Sequence, residues 1–324
     1  MFILGMDIGY SNLKLAMGTA DAAPAVSLAP AGAAPINRLP ASIGGGDREA
    51  LRVALDGDLW AACVSPGKFT SWNRALHEDY AQTPSYRALF HAALLLSERE
   101  DIDLLVTGLP VSHWLDKARR AAVVARLEGL HQVTSKRSIA VRRALVVPQP
   151  IGGYLDQAWT RKGDRVLQEG RVLIIDPGFF SVDWVLVDEG EIRTASSGTS
   201  LEAMSVLLEE AGNRIGDDHG GSVPVERIEE ALRSGKDSVL LLGREVPIGP
   251  YLQRAAETVA PIAIEALRRS LRKENGSVDA IVLTGGGAQL YQPVAAGIFP
   301  SNPIFVPDQS ALANARGFFY FGVE

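Results

Sequence analysis

The sequence predicts an α/β protein built from two duplicated domains, and three observations carry that prediction. The chain has 324 residues, which favours about two domains at roughly 100 to 200 residues each. A strand, a bend holding an aspartate and a glycine, and a second strand occur twice, at Asp7 and Gly9 and again at Asp176 and Gly178. A second echo follows each hairpin, because Ile102-Asp103 leads to Thr107-Gly108 as Val278-Asp279 leads to Thr284-Gly285. Hairpin, strand and Thr-Gly therefore recur in one order, as in two related domains facing each other across a cleft.

Phe2 to Asp7 and Leu13 to Met17 are apolar runs around Ile8-Gly9-Tyr10-Ser11-Asn12, which predicts a hairpin. From Ala20 to Gly46 the chain turns to Ala, Pro and Gly, which predicts an irregular linker or insertion. Leu51 to Ala62 reads as a hairpin turning at Asp56-Gly57, and Tyr86 to Ser97 as a helix. Leu104 to Val106 is a short buried strand, and a helix is expected over Trp114 to Gly129. Ile139 to Val147 reads as one strand, stopped by Pro148-Gln149-Pro150, where the first domain should end.

The second half opens with the hairpin Val172 to Asp176 and Val182 to Val187, then Glu189-Gly190 and a third strand. Ser200 is expected to cap a helix carrying Leu201, Met204, Leu207, Leu208 and Ala211. Gly216 to Ser222 reads as a flexible loop, open either as a subunit contact or as slack, and Pro224 to Arg233 as an amphipathic helix. Leu252 to Leu271 has helical spacing and is expected to end at Asn275-Gly276, before the buried strand Val278 to Leu283.

Composition excludes several classes. With 47% hydrophobic and 22% charged residues, the chain should fold without a partner. Lys plus Arg number 32 against 38 for Asp plus Glu, so the surface as a whole cannot act as a polycation for nucleic acid. Cys63 is the only cysteine, which excludes an intramolecular disulfide and a multi-cysteine zinc site and fits a reducing cytoplasm. The start MFILGMDIGY carries no basic leader, and Asp7 interrupts its apolar run, so no export is expected. Ala280 to Pro307 lacks charge, but its glycines and prolines predict buried core rather than a membrane span.

Two facing turns offer backbone N–H groups to a polyphosphate, which points to a nucleotide. Gly9 and Gly178 let the backbone come close to phosphate oxygens, while Ser11, Asn12 and Ser181 add side-chain donors and Lys14 a positive charge. Asp7 and Asp176 end the first strands, where they could hold water around Mg²⁺; Asp176 is favoured to orient the attacking water. Gln149 is either a rigid turn residue or a neutral group aimed at that water. Gly285, Gly286 and Gly287 either close a turn or admit a phosphate or adenosine.

Five stretches in order resemble the actin, sugar kinase and heat-shock chaperone ATPase superfamily, and within it the ParM/StbA type of bacterial and archaeal actin-like proteins. DIGYSNLK (7–14) resembles the first phosphate motif and DPGFFSVD (176–183) the second. VPQPIGGY (147–154) and ANARG (313–317) resemble the two connecting motifs, and LTGGGA (283–288) the adenosine motif. Leu55 to Gly57, Val106 to Pro110 and the Tyr80 to Leu94 helix resemble the ParM type rather than a sugar kinase.

The resemblance implies an actin-like fold: two RNase H-like α/β cores flanking a nucleotide cleft, each with a smaller insertion. Domain I would cover 1–150, with an insertion at about 20–97, closed by a C-terminal helix over 312–324. Domain II would cover 151–311, with an insertion at about 200–250. It also implies ATP or ADP, with GTP admissible, and Mg²⁺, held by Asp7, Gly9, Tyr10, Ser11, Asn12, Lys14, Gly178, Phe179, Phe180, Ser181 and the three glycines 285–287. Gln149 and Asp176 would position water, and Asp7 and Asp176 would sit near the metal. The implied function is an ATPase whose ATP-driven polar filaments, destabilised by hydrolysis, segregate plasmids through a DNA-binding adaptor, with hinges at 148–153 and 313–317.

Some residues depart from the pattern or stay open. Pro177 removes one backbone donor from the second loop, and Phe179 and Phe180 add bulk there. Arg227 and Glu230 are candidates for adenine contact or for a solvated helix face, and Asp183 stands where the first copy has Lys14. The basic run from Lys117 to Arg143 is a solvated or filament-contact face rather than a DNA site, since no aromatic residues interleave it. A small-molecule kinase on the same fold is the alternative, and neither a membrane nor direct nucleic-acid binding is expected.

Overall fold

The computed structural model describes residues 1–40, 50–70, 79–274 and 277–324, and the chain divides into two compact units. The first contains Met1–Trp159 and Leu312–Glu324, the second Thr160–Ala311. The first therefore runs beyond Pro150 to Trp159.

The first unit contains β1 (Phe2–Ile8), β2 (Asn12–Thr19), β3 (Ala25–Pro30), β4 (Gly32–Pro35), β5 (Leu51–Leu55), β6 (Asp58–Val64) and α1 (Pro84–Leu96). It continues through β7 (Asp101–Ile102), β8 (Leu104–Leu109), α2 (Val111–Leu115), α3 (Lys117–Leu127), β9 (Gly129–Gln132), β10 (Ser138–Val141), β11 (Ala144–Pro148) and α4 (Gln149–Thr160). Its main sheet runs β11-β8-β1-β2-β3, antiparallel across β1, β2 and β3 and parallel across β1, β8 and β11. Smaller sheets β4-β6-β5 and β7-β10-β9 flank it.

The second unit contains α5 (Arg165–Glu169), β12 (Arg171–Pro177), β13 (Val182–Asp188), β14 (Glu191–Ser200), α6 (Met204–His219) and α7 (Val225–Arg233). Then come β15 (Ser238–Leu241), β16 (Arg244–Pro247), α8 (Gly249–Leu271), β17 (Ala280–Leu283), α9 (Ala288–Ile298) and β18 (Ile304–Phe305). Its sheet runs β18-β17-β12-β13-β14, the order and directions of the first sheet repeated. The echoed aspartates also share one task. Asp103 Oδ2 accepts the Phe2 N–H at 2.7 Å and Asp279 Oδ2 accepts the Arg171 N–H at 2.8 Å, so each holds the entry to its hairpin.

Several local expectations need correction. The stretch after Ala20 is not a plain linker, for it supplies the edge strand β3 and the buried β4. Its small residues fit there because Ala33 and Ala34 are buried against β6. The expected helix from Trp114 breaks at Asp116, whose carboxylate accepts the N–H groups of Ala118 at 3.0 Å and Arg119 at 3.1 Å and so starts α3 anew. The strand expected over Ile139 to Val147 divides at the exposed pair Arg142 and Arg143, and its halves join different sheets.

Ser200 is not a helix cap, because the β13 ladder continues through it. α6 begins at Met204, and Leu201 lies exposed. Gly216 belongs to the last turn of α6; the left-handed glycines Gly220 and Gly221 make the actual bend. The Asp56-Gly57 turn is as expected, with both residues at positive φ, 52° and 90°. The helix end expected at Asn275-Gly276 lies outside the described residues.

Two imidazoles are packed into the first unit. His91 of α1 donates through Nδ1 to the Ala54 carbonyl at 2.8 Å, and His131 of β9 donates through Nε2 to the Leu127 carbonyl at 2.9 Å. Burial holds both below the ordinary imidazole value of about 6.5. Between the lowered and ordinary values the unfolded chain binds more protons, so stability is full above about pH 6.5 and declines as pH falls below it. The melting temperature should drop between about pH 7 and about pH 5, and less steeply with both histidines changed to glutamine. Equal slopes would exclude the two rings as the cause.

Candidate nucleotide-binding site

Each unit carries one hairpin turn of the same construction. In the first, the Gly9 N–H donates to the Asn12 carbonyl at 3.0 Å; in the second, the Gly178 N–H donates to the Ser181 carbonyl at 2.8 Å. The bond tightens the bend and leaves no room for a side chain at Gly178, where a Cβ would lie 2.9 Å from the Ser181 oxygen. The glycine N–H groups are thus committed to the turns themselves. Asp7 and Asp176 end β1 and β12, each 3% exposed.

In the first unit Asp7 joins two of the other expected site residues. Its Oδ2 accepts from Lys14 Nζ at 2.8 Å, its cross-strand neighbour, and its Oδ1 accepts from Gln149 Nε2 at 3.3 Å. Gln149 is the first residue of α4, with Pro150 in the first turn, so the prolines start a helix rather than hold a bare turn. Gly108 admits this arrangement: a Cβ there would lie 2.8 Å from the Gln149 Cα. Ser11 and Asn12 are partly committed to each other, Asn12 Nδ2 donating to Ser11 Oγ at 2.9 Å.

Two residues around this turn were not among the expected site residues. Tyr80 stacks on Tyr10 with ring centroids 4.3 Å apart, and Tyr86 meets Tyr80 edge-on at 5.6 Å. Burial pushes the Tyr86 phenol up to about 12; the Thr107 hydroxyl opposes the shift and the Asp7 carboxylate adds to it. Thr107 itself donates to the Met6 carbonyl at 2.7 Å, tying β8 to the strand that carries Asp7. The aromatic content of the Tyr80 to Leu94 stretch was visible in the sequence, but its target was not.

In the second unit the glycine run closes on Asp176. Gly285 has φ +78°, and a Cβ there would run into Asp176 Oδ1 and come within 3.2 Å of its Cγ. The Gly287 N–H donates to the Pro177 carbonyl at 3.0 Å, while Gly286 has nothing within 4 Å of where its Cβ would stand. The carbonyls of Gly178 and Phe179 accept from the N–H groups of Met204 at 3.1 Å and Ser205 at 2.8 Å, so the start of α6 braces the second turn. Phe179 packs against the unit's core.

Asp183, Arg227 and Ser181 have assigned tasks within this unit. Asp183 accepts from Ser181 Oγ and from Thr199 Oγ1, both at 2.6 Å. The Ser181 hydroxyl, expected as a phosphate donor, thus points its proton to Asp183. Arg227 donates to the Leu240 carbonyl at 2.9 Å, tying α7 to β15, and Glu230 is exposed on the same helix.

The connecting motifs meet within the first unit. α4 and the C-terminal helix Ser310–Val323 cross at Gly152 and Gly317, and Arg316 grips Asp156 with two bonds of 2.7 Å each. Asp156 is fully buried, so its charge requires that bidentate partner.

The duplicated five-stranded sheets, each with an aspartate-ended hairpin, define an actin-like fold, and solved structures of that fold align over nearly the whole chain. The archaeal actin homologue Ta0583 in complex with ADP aligns with a TM-score of 0.79 at 20% identity, covering 99% of each chain. A 15-stranded ParM filament from Clostridium botulinum aligns with a TM-score of 0.75 at 16% identity over 99% of this chain and 98% of that one. A non-polymerisable quadruple mutant of pCBH ParM gives 0.76 at 17% identity over 99% and 98%.

Residues 5–152 match the family described as the actin-like proteins N-terminal domain, and residues 174–294 match that of the archaeal actin homologue MreB-like, C-terminal. The chain belongs to the actin-like proteins. No curated protein matches it. Among the described residues, no helix is long and apolar enough to cross a membrane.

Proposed function

We propose that the protein is an ATP-dependent filament protein of the ParM type, in which the two hairpin turns hold the phosphates of one magnesium-bound nucleotide. The observation that supports this most is the repeated turn, with the same glycine N–H bond and a buried aspartate beside it in both units. A nucleotide and self-association are further supported by the ADP complex of one actin homologue and the filament of a ParM protein. Segregation of a plasmid or other cargo through a DNA-binding adaptor, in the cytoplasm, is the task this reading assigns.

Each residue then has a role. The amides after Gly9 and Gly178 bind phosphate oxygens, and Lys14 moves part of its charge from Asp7 to the phosphates. Asp176, with Gln149, orients the attacking water. Among the described residues no cluster of three or more acidic, histidine or cysteine side chains could hold a metal. Asp7 and Asp176, each buried and ending at a hairpin turn, would hold a Mg²⁺ through its waters. Such an ion would neutralise charge on the phosphates as the γ-group leaves. Hydrolysis acts as a timer on assembly.

Sedimentation with ATP tests the reading. The protein should pellet with ATP and return to the supernatant when nucleotide is removed. Lys14→Ala should weaken ATP binding at least tenfold by calorimetry, about 1.4 kcal/mol, and raise the ATP needed for pelleting. A soluble monomer that consumes ATP only when a small hydroxyl substrate is added would instead establish the kinase alternative.

A further inference from the structure

The first unit holds a half-open cavity of about 550 Å³ between α1, α3, β9 and the Asp56-Gly57 turn. It shares no residue with the hairpin site. Its charged lining consists of Arg87 from α1, Arg126 from α3 and Asp56 from the turn, with His91 and His131 as the remaining titratable groups. Arg87 pairs with Asp56, and Arg126 spends one nitrogen on the Ala81 carbonyl at 2.9 Å. One formal positive charge is left over, in a chain whose net charge is -6.

The two imidazoles sharpen that preference. Their ring centroids are 6.1 Å apart, and each already donates one N–H to a backbone carbonyl. Burial keeps both below their ordinary value, with Arg87 and His131 pressing His91 further down and Asp56 opposing. A bound anion would reverse this balance and let a ring add a second N–H donor. The cavity also has an apolar side: Phe90 meets His131 edge-on at 4.8 Å, and Leu130, 73% exposed, stands at the rim. The stretch Lys117 to Arg143, which supplies part of the lining, carries eight basic residues and a single acid, Glu128, with Arg119 paired to Asp79 and Arg142 to Asp101 and Asp103. The Glu128 carboxylate accepts the Ala144 N–H at 2.9 Å.

We infer that this cavity is a second ligand site, distinct from the nucleotide hairpins, that takes a small organic phosphate monoester. The dianion sits between Arg126 and Arg87, and its apolar body lies against Phe90 and Leu130. Arg126 supplies the uncancelled charge and Arg87 a second fork of donors shared with Asp56, a protonated imidazole would supply the second charge a dianion needs, and a ring or alkyl body accounts for the exposed leucine at the rim.

Phenyl phosphate is the probe, read by the ring-proton resonances of His91 and His131 in the full chain. Saturable shifts of both rings are expected, with both imidazole titrations moving upward in pH. Inorganic phosphate should bind at least tenfold more weakly. Arg126→Gln should raise the dissociation constant at least tenfold; Arg87→Gln, whose partner Asp56 is exposed, gives the same test if Arg126→Gln fails to fold. Unshifted rings, equal affinity for inorganic phosphate, or unchanged binding in a folded arginine variant would each overturn the proposal. These rings report on the cavity alone, so ATP-driven pelleting stands or falls separately.

Discussion

Gly317→Val is expected to unfold the first unit at a temperature the parent protein survives. The C-terminal helix crosses α4 with backbone against backbone: a Cβ on Gly317 would run into the Gly152 carbonyl oxygen and lie 2.8 Å from the Gly152 Cα. The reverse contact is as tight, since a Cβ on Gly152 would lie 2.6 Å from the Asn314 Cα. Neither obstacle is a side chain that can rotate away, so the helices must separate. Overpacking costs about 1–3 kcal/mol where side chains can adjust; here at least about 3 kcal/mol is expected.

Separating the helices would also loosen the buried Arg316–Asp156 pair. At roughly 2–4 °C per kcal/mol the melting temperature should fall by about 6 °C or more. Trp159, stacked on Tyr320 at 4.7 Å, lies beside the crossing and reports it by fluorescence. Gly297→Ala is the control, for it lies in α9 with nothing within 4 Å of its Cβ position, and alanine there should be neutral or stabilising by up to about 1 kcal/mol. An unchanged melting temperature in Gly317→Val would refute the close crossing.

Asp176→Asn is expected to slow phosphate release at least tenfold, about 1.4 kcal/mol of barrier, while ATP binding is largely kept. Asparagine preserves the volume beside Gly285, where the backbone leaves space for this side chain and no more. It removes the carboxylate that would orient water. Filaments formed by the variant should outlast those of the parent, because the proposed function makes assembly depend on the bound triphosphate and disassembly on its loss. Unchanged release would take Asp176 out of the catalytic role, and loss of ATP binding would make it a binding residue instead.

The parts of the fold that were legible in the sequence are those with local causes. The Asp56-Gly57 hairpin follows from two residues that tolerate positive φ, and the repeat followed from two aspartate–glycine bends and two strand-leading acids. Asp103 and Asp279 proved to hold equivalent N–H groups, which is a physical reason for that echo. What escaped was set by packing at a distance. β3 and β4 hide in an alanine-rich stretch because small residues suit a strand pressed against β6 but carry little strand signal. The break at Asp116 was written as a capping residue inside a helical pattern, and the pattern outweighed it.

The site divided in the same way. Asp7, Lys14 and Gln149 come together, although Gln149 is 142 positions from Asp7 in sequence. Asp176 and Gly285 also meet, through a contact that only a glycine allows. The commitment of Ser181 to Asp183 was not visible, because a serine in a phosphate-loop pattern reads as a ligand donor until the carboxylate two residues further on is seen to accept its proton. Tyr86 and Tyr80 were missed for a related reason: a tyrosine on a helix gives no sign of which loop it will support.

The most direct test is an electron-microscopy reconstruction of the protein with magnesium and a non-hydrolysable ATP analogue. The account predicts filaments in which amides of 10–12 and of 179–181 both contact the phosphates of a single nucleotide, with Asp7 and Asp176 within reach of its metal-bound waters. Dispersed monomers, or phosphates touched by one turn only, would contradict it.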